Sequence, residues 1–325
     1  MVMFWVALLA ISMLMYLLLD GFDLGVGMLF GLSNSEANRS TMQNTVAPVW
    51  DGNETWLIVD LVGRVSGRLF DPVIRLLYSR GYHVAGADPP RRRIRISQKT
   101  QRLRWIWNVS FAGGSFVASF MQGVTVGALA QGLRFTDGQY SGGVFGWFSD
   151  FSVLCGAGLC LGYALLGACW LVRKCDSEVR DVARRQIPIL AVAVLAFLVV
   201  VFIHALTDNL PIMHRWIDRP YLFVFPAIGA VAAVVLASSI LHHNDYWPFQ
   251  MVSLMFVAAF GTLALSFWPY MIPFAITIDA GAAPHSSLAF MFWGEGLFVF
   301  PLMLLYAAVS YRVFRGKLGP MQGHY

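Results

Sequence analysis

Hydrophobic and polar positions in this chain fall in long blocks rather than in a short period. Seven apolar blocks stand out, at about residues 2–30, 107–133, 150–172, 187–207, 221–241, 249–273 and 286–311. Each is long enough and poor enough in charge to cross a bilayer as a helix. The segments between them are short, which predicts an all-α, polytopic transmembrane bundle, with residues 1–325 forming a single integral membrane domain. Pro226, Pro269, Pro273 and Pro301 fall in or at the ends of the later blocks. Prolines are tolerated there when neighbouring helices resatisfy the backbone. The apolar start, Met1 to Leu19, has no basic segment before it and runs on into further apolar sequence, so it reads as a first span rather than a signal peptide.

Composition narrows the class further. The chain is 58% hydrophobic and 13% charged, whereas soluble domains carry about 25% charged residues. The net charge of +5 is unevenly placed: residues 60–104 hold 11 of the 23 Lys and Arg and 3 of the 18 acids, leaving −3 elsewhere. The charge therefore does not describe a protein that seeks nucleic acid. Basic residues concentrate in loops 91–104 and 173–186 and in the tail from 312, while loops 134–149, 208–220 and 274–285 carry few. The positive-inside rule puts the first group in the cytoplasm. Counting back, the N-terminus is outside if residues 52–90 cross the membrane an even number of times. Two crossings there would make nine spans, and loop 32–50 is then cytoplasmic.

Residues 60–97 do not read as two helices. Arg64, Arg68, Arg75 and Arg80 recur through the stretch, and each Arg costs about 2.5–3.5 kcal/mol at mid-helix on insertion scales. One reading is a cytoplasmic amphipathic or irregular segment. The other is a translated sequence that is shifted in frame and then restored, since Arg-, Gly- and Pro-rich text with sharp edges is what another frame of a GC-rich gene gives.

Two acidic clusters carry the candidate chemistry. In LLLDGFDLGVG, Asp20 and Asp23 stand at i and i+3 on one helix face. They lie near the C-terminal end of the first span, where the helix dipole offers a carboxylate nothing. Ionisable groups at such a depth are functional candidates; the plainer alternative is a pair of interfacial acids. In APVWDGNETWLIV, Pro48 suits a helix start, and Asp51 and Glu54 fall in its first two turns. There the dipole favours negative charge, so simple helix-end stabilisation competes with function. Both clusters are expected at one membrane depth, facing each other. Four carboxylates close together cannot all ionise cheaply, which is the property a proton-uptake site needs. Glu295, within the last block, is a third and weaker candidate.

Histidine placement argues against haem ligation by this chain. Only His204 lies within a block, near its outer end, and no pair stands at matched depth. Cys155, Cys160, Cys169 and Cys175 form no CxxC pair and read as small packing residues. No phosphate-binding, dinucleotide or zinc motif occurs.

These stretches also carry a family resemblance. DGFDLGVGMLFGL followed by TMQNTVAPVWDGNETWLIV strongly resembles subunit II of the cytochrome bd-type quinol oxidases, in the branch that includes cyanide-insensitive enzymes. FAGGSFVASFMQGVTVGALAQG, WPYMIPFAITIDAGAAPHSSLAFMF and the terminal SYRVFRGK are similar to the same family. The resemblance implies nine spans, an outer N-terminus and a cytoplasmic C-terminus, in the inner membrane of a bacterium. It implies a heterodimer with a subunit I that carries haems b and d and the quinol site, with room for a small accessory subunit. The complex it implies oxidises quinol, reduces dioxygen to water and builds a proton motive force. This chain would bind no cofactor directly, would support assembly and would contribute to the route that carries protons from the cytoplasm. That route is linked in the family to the residues that here are Asp23 and Asp51. The pattern departs over residues 60–97 and resumes near Gln98. Length kept while character is lost is what paired frameshifts produce, and genuine divergence would remove two helices. Rival classes are a stand-alone proton-coupled or cation transporter using the same acids, for which no inverted repeat is evident, and an assembly protein without chemistry.

Overall fold

The computed structural model describes residues 1–53, 55–56, 104–133, 135–136, 139–143, 145–176, 178–208 and 210–317. Seven helices among them are long and apolar enough to cross a membrane, at the places the apolar blocks predict. The first is α1 (Val2–Leu32), followed by the short α2 (Glu36–Val46). A further helical stretch begins at residue 50 and is described at residues 50–53 and 55–56. Then come α3 (Arg104–Gln131), α4 (Asp150–Lys174) and α5 (Glu178–Thr207). The short α6 (Pro211–Asp218) leads through a 3-10 turn to α7 (Val224–Leu241) and α8 (Trp247–Phe267). After the one-turn α9 (Ile278–Gly281), the last crossing starts as α10 (His285–Met291), loosens to a π-helix over Phe292–Val299 and finishes as α11 (Phe300–Val313). The fold is thus a polytopic helical bundle. The two extra crossings considered within residues 52–90, and the Arg-rich stretch 60–97, lie outside the described residues.

Three boundaries differ from the sequence expectation, each for a local reason. Residues 32–50 were expected as a loop, yet α2 forms there. Ser35 caps it by accepting from the Asn38 amide, and Glu36 sits in its first turn. Such a cap and a helix-dipole acid compensate for a polar, weakly apolar segment, while Met42, Thr45 and Val46 bury the inner face. Helix α5 begins at Glu178 rather than near 187, because Arg180 and Arg184 both pair with Asp245 and keep the charged first turns ordered. Helix α8 stops at Phe267 rather than 273. The residue before a proline is pushed out of the α region, and Trp268 takes an extended conformation ahead of Pro269. The chain then makes a small antiparallel hairpin, Tyr270–Ile272 against Ile276–Thr277.

The core gathers around α4, which packs against α1, α3, α5 and α8. Its Tyr163, Leu165, Leu166, Ala168, Cys169, Leu171 and Val172 are almost wholly buried. In lipid, helices associate through close packing rather than a hydrophobic drive, so small residues at crossings matter most. The α1–α4 crossing shows this. A Cβ on Gly25 would overlap the Tyr163 carbonyl, and one on Gly167 would lie 2.5 Å from the Gly25 carbonyl carbon. The two backbones touch only because both positions are glycine. One turn away, Phe22 stacks on Trp170 with centroids 4.2 Å apart. All four cysteines are free thiols, three of them buried. Cys175, just beyond the end of α4, has its thiol pushed up to about 11, chiefly by burial, which leaves it inert near neutral pH.

Candidate functional site: a buried carboxylate on the first helix

Helix α1 has 31 residues and is about 46 Å long at 1.5 Å per residue. That exceeds a hydrocarbon core of about 30 Å. Asp20 and Asp23 lie about 27–32 Å along it from Val2, near one boundary of the apolar layer. Both are buried, Asp23 to 1% exposure and Asp20 to 7%.

A single amide organises the surroundings of Asp23. The Asn53 amide nitrogen donates to Asp23 Oδ2 at 2.7 Å and to the Leu19 carbonyl at 3.1 Å. The Asn53 carbonyl oxygen accepts from the Tyr311 hydroxyl at 2.8 Å. One side chain thereby ties α1, the helical stretch at 50–56 and α11 together. The local reasons are legible. Asn53 projects inward one turn into a helix opened by Pro48, its own N–H bonding the Val49 carbonyl. Tyr311 sits near the end of α11, which Lys174 clamps by donating to the Phe314 and Gly316 carbonyls. A cation at a helix C-terminus meets both the free carbonyls and the dipole. Phe22 and Trp170 wall the Tyr311 ring, both edge-on, with centroids 6.3–6.4 Å away.

The other carboxylate oxygen is different. Asp23 Oδ1 is fully buried and has no hydrogen-bond partner among the described residues. A buried acceptor left unmatched costs about 1–3 kcal/mol, more when it is charged. Asp20 stands close enough for its charge to act on both Asp23 and Tyr311. The site among the described residues is therefore two carboxylates, an oriented amide and a phenol, with Asp23 Oδ1 unmatched by any of them.

Comparisons with known proteins agree with this architecture. The family model for cytochrome bd terminal oxidase subunit II matches residues 1–67 and 93–314. This chain belongs to that family. It is similar to a probable cytochrome oxidase subunit 2 of Haemophilus influenzae, 26% identical with 94% of this chain and 89% of that protein covered. It is also similar to the cytochrome bd-I ubiquinol oxidase subunit 2 of Escherichia coli strain K12, 26% identical over 97% of this chain and 94% of that one. The cytochrome bd ubiquinol oxidase subunit 2 of Bacillus subtilis is 25% identical, with coverage of 97% and 96%. Among solved structures, the bd oxidase of Geobacillus thermodenitrificans shares the fold, with a TM-score of 0.62, 14% identity and coverage of 95% of this chain and 98% of that one. As a cytochrome bd subunit II, the chain is a multi-pass bacterial membrane protein and a subunit of the cytochrome bd quinol oxidase, an oxidoreductase complex. The family match breaks over residues 68–92, inside the Arg-rich stretch.

The other candidates of this subunit II fall as follows. Asp51 is exposed at the start of the 50–56 stretch, where its backbone carbonyl accepts from the Thr55 hydroxyl at 2.6 Å. Glu54 lies outside the described residues. Asn53, between them, makes the direct contact with α1, and sequence reasoning passed over it. An amide at the third position of a DGN stretch carries no charge signal, and only its place between two acids marks it. Tyr311 was missed for the same reason, although SYRVFRGK had been singled out as a motif. Glu295 lies half-exposed in the π-helical turn. His204 Nδ1 lies 3.0 Å from Asp208 Oδ2 at the end of α5, with its ring edge-on to Phe151. No cluster of three or more His, Cys, Asp or Glu suited to a metal occurs among the described residues.

Proposed function

We propose that this chain is the haem-free subunit of a cytochrome bd-type quinol oxidase, supporting assembly and lining the path by which protons enter from the cytoplasm. The complex couples quinol oxidation to the reduction of dioxygen to water. The single observation that supports the proton role is the buried Asp23, one oxygen held by Asn53 and the other without a partner among the described residues. Desolvated carboxylates at a membrane edge are costly and persist where protons or ions pass. Asp20 shares the proton-holding role, and Asp51, exposed at the mouth of the same helical stretch, collects protons together with Glu54. In this reading the end of the bundle that carries Asp20, Asp23 and Asp51 is cytoplasmic and the N-terminus is outside, as the basic loops require.

Haem belongs to the partner subunit in this reading. The described histidine side chains do not fit axial ligation: His204 is engaged by Asp208, and His242, His243 and His285 are exposed at helix ends. No step here passes through haem. The experiment is to purify the intact oxidase carrying Asp23→Asn or Asp51→Asn. Lowered turnover with haem content retained is the expected result, and full turnover in both variants removes the proton role.

A further inference from the structure

The phenol that holds Asn53 sits where a helix is weakest. Tyr311 lies in the last turn of α11, which ends at Val313 and closes with the Phe314 N–H on the Ser310 carbonyl at 3.0 Å. The final carbonyls of a helix have no donors of their own, and helix ends open at almost no cost unless something holds them. A phenol that must keep its place 2.8 Å from an amide oxygen therefore needs support from outside its own helix.

That support comes from α4. Lys174, its last residue, donates to the Phe314 carbonyl and, at 3.4 Å, to the Gly316 carbonyl. Lys174 is only 8% exposed, and an ammonium persists in such a place when it is matched. Its Nζ also lies 4.9 Å from the centre of the Trp170 ring, one turn earlier on the same face of α4. Trp170 stands edge-on to Tyr311 and stacks on Phe22, the sequence neighbour of Asp23. One cation thus steadies both the chain beyond Tyr311 and the ring beside it.

A second tie holds the same segment. Lys317 donates to Asp176 Oδ1 at 2.5 Å, just past the end of α4, and reaches Asp245 Oδ2 at 3.5 Å. Lys317 and Asp176 are exposed, so this tie is the weaker one. The chain of contacts runs from Lys174 to the end of α11, from Tyr311 to Asn53, and from Asn53 to Asp23. While Tyr311 donates to its oxygen, Asn53 must turn its N–H groups toward Asp23. If the last turn of α11 unwinds, that constraint is lost and the amide is free to rotate.

We propose that Lys174 is a positioning residue for the Asp23 site. It keeps the last turn of α11 wound and, through Tyr311 and Asn53, sets the orientation of the carboxylate, with Lys317 as the second tie. The inference rests on the proton-path reading of Asp23 above.

The test uses the intact oxidase carrying Lys174→Met, Tyr311→Phe, the two together, Lys317→Met and, as reference, Asp23→Asn. Lys174→Met keeps an unbranched apolar stem and removes the donors. Its expected signature is retained haem content, unchanged quinol KM, a larger solvent deuterium isotope effect, and kcat per haem lowered by about fivefold, the rate equivalent of one lost hydrogen bond. Tyr311→Phe is expected to be slowed as well. Because Lys174 acts through Tyr311, adding Lys174→Met to Tyr311→Phe should then cost nothing further. A clasp that serves stability alone lowers the inactivation temperature and leaves kcat and the isotope effect untouched. That result overturns the inference, as does slowing that adds in full to that of Tyr311→Phe. If Lys174→Met does not assemble, Lys317→Met, changed at an exposed side chain, decides by the same readouts with a slowing of about twofold. Either contrary result with Asp23→Asn slowed overturns this inference alone. A normal Asp23→Asn overturns it together with the reading it rests on.

Discussion

Replacing Asn53 by alanine removes three hydrogen bonds at once. Asp23 Oδ2 loses its donor at 2.7 Å, the Leu19 carbonyl its second donor at 3.1 Å, and the Tyr311 hydroxyl its acceptor at 2.8 Å. Two helices then lose their link to the 50–56 stretch. Asp23, whose other oxygen has no partner among the described residues, then has neither oxygen held by any of them. Membrane side-chain hydrogen bonds average about 0.6 kcal/mol by mutant cycles, while stranding a buried polar group costs about 1–3 kcal/mol. Three bonds at the first figure give roughly 2 kcal/mol and three stranded groups at the second roughly 3–9 kcal/mol, with the carboxylate the largest share. The assay is thermal inactivation of the detergent-purified oxidase alongside turnover per haem. Expected are a lower inactivation temperature and turnover reduced by about tenfold, because a carboxylate free to rotate loses its alignment. Asn53→Asp gives a sharper contrast: it keeps an acceptor for Tyr311 but sets a third carboxylate against Asp23, and should be worse than alanine. An alanine variant as stable and active as the parent, or an aspartate variant better than alanine, would refute the assignment of Asn53 as the organiser.

Gly25→Val should block assembly, since even a Cβ overlaps the Tyr163 carbonyl; overpacking of this kind costs about 1–3 kcal/mol or more, and haem recovered per membrane protein measures it. Asp245 tests the ion cluster between α5 and the tail: burial would raise its carboxyl, but Arg180, then Arg184 and Lys317, outweigh that and hold it below the usual range. A depressed carboxyl stabilises fully above its unfolded value near 3.9 and loses that contribution as pH falls through the folded value. Asp245→Asn should therefore lower the inactivation temperature at pH 6–8 by an amount that does not vary with pH, and match the parent under strongly acid conditions. Arg215 donates to the Ser266 and Trp268 carbonyls at 2.8 and 2.7 Å and stacks over Tyr270 and Phe274. Arg215→Lys cannot reproduce this fork, so the hairpin at 270–277 should become open to protease, which limited proteolysis of spheroplasts or inverted vesicles reads.

The fold was legible because lipid imposes a coarse rule: a crossing needs length and low charge, and seven blocks satisfied both. What the blocks could not show was where charge continues a helix instead of ending it. Arg180 and Arg184 look like loop residues until Asp245, some sixty positions later, is folded against them. In the same way α2 rests on a cap at Ser35 and three buried residues, too little apolar surface to register as a block. Early termination of α8 was readable in principle, since Pro269 restricts Trp268, but the run of apolar residues after it pointed the other way.

The site was half legible for a related reason. Carboxylates in apolar sequence announce themselves because their burial is expensive, and Asp20 and Asp23 are indeed buried. The groups that make such burial tolerable are neutral. Asn53 and Tyr311 look ordinary in any window of sequence, yet Asn53 decides which oxygen of Asp23 is held, and Tyr311 orients Asn53. The same logic bears on the Arg-rich stretch. Outside residues 60–104 the chain carries −3, and its described cations are spent on specific acceptors: Lys174 on the end of α11, Arg180 and Arg184 on Asp245, Arg215 on the hairpin. Residues 60–97 lie outside the described residues and keep the two readings of their sequence, a cytoplasmic amphipathic or irregular segment, or a gene that encodes apolar, glycine-rich text there in another frame. Reading its nucleotides across codons 58–100 separates the two.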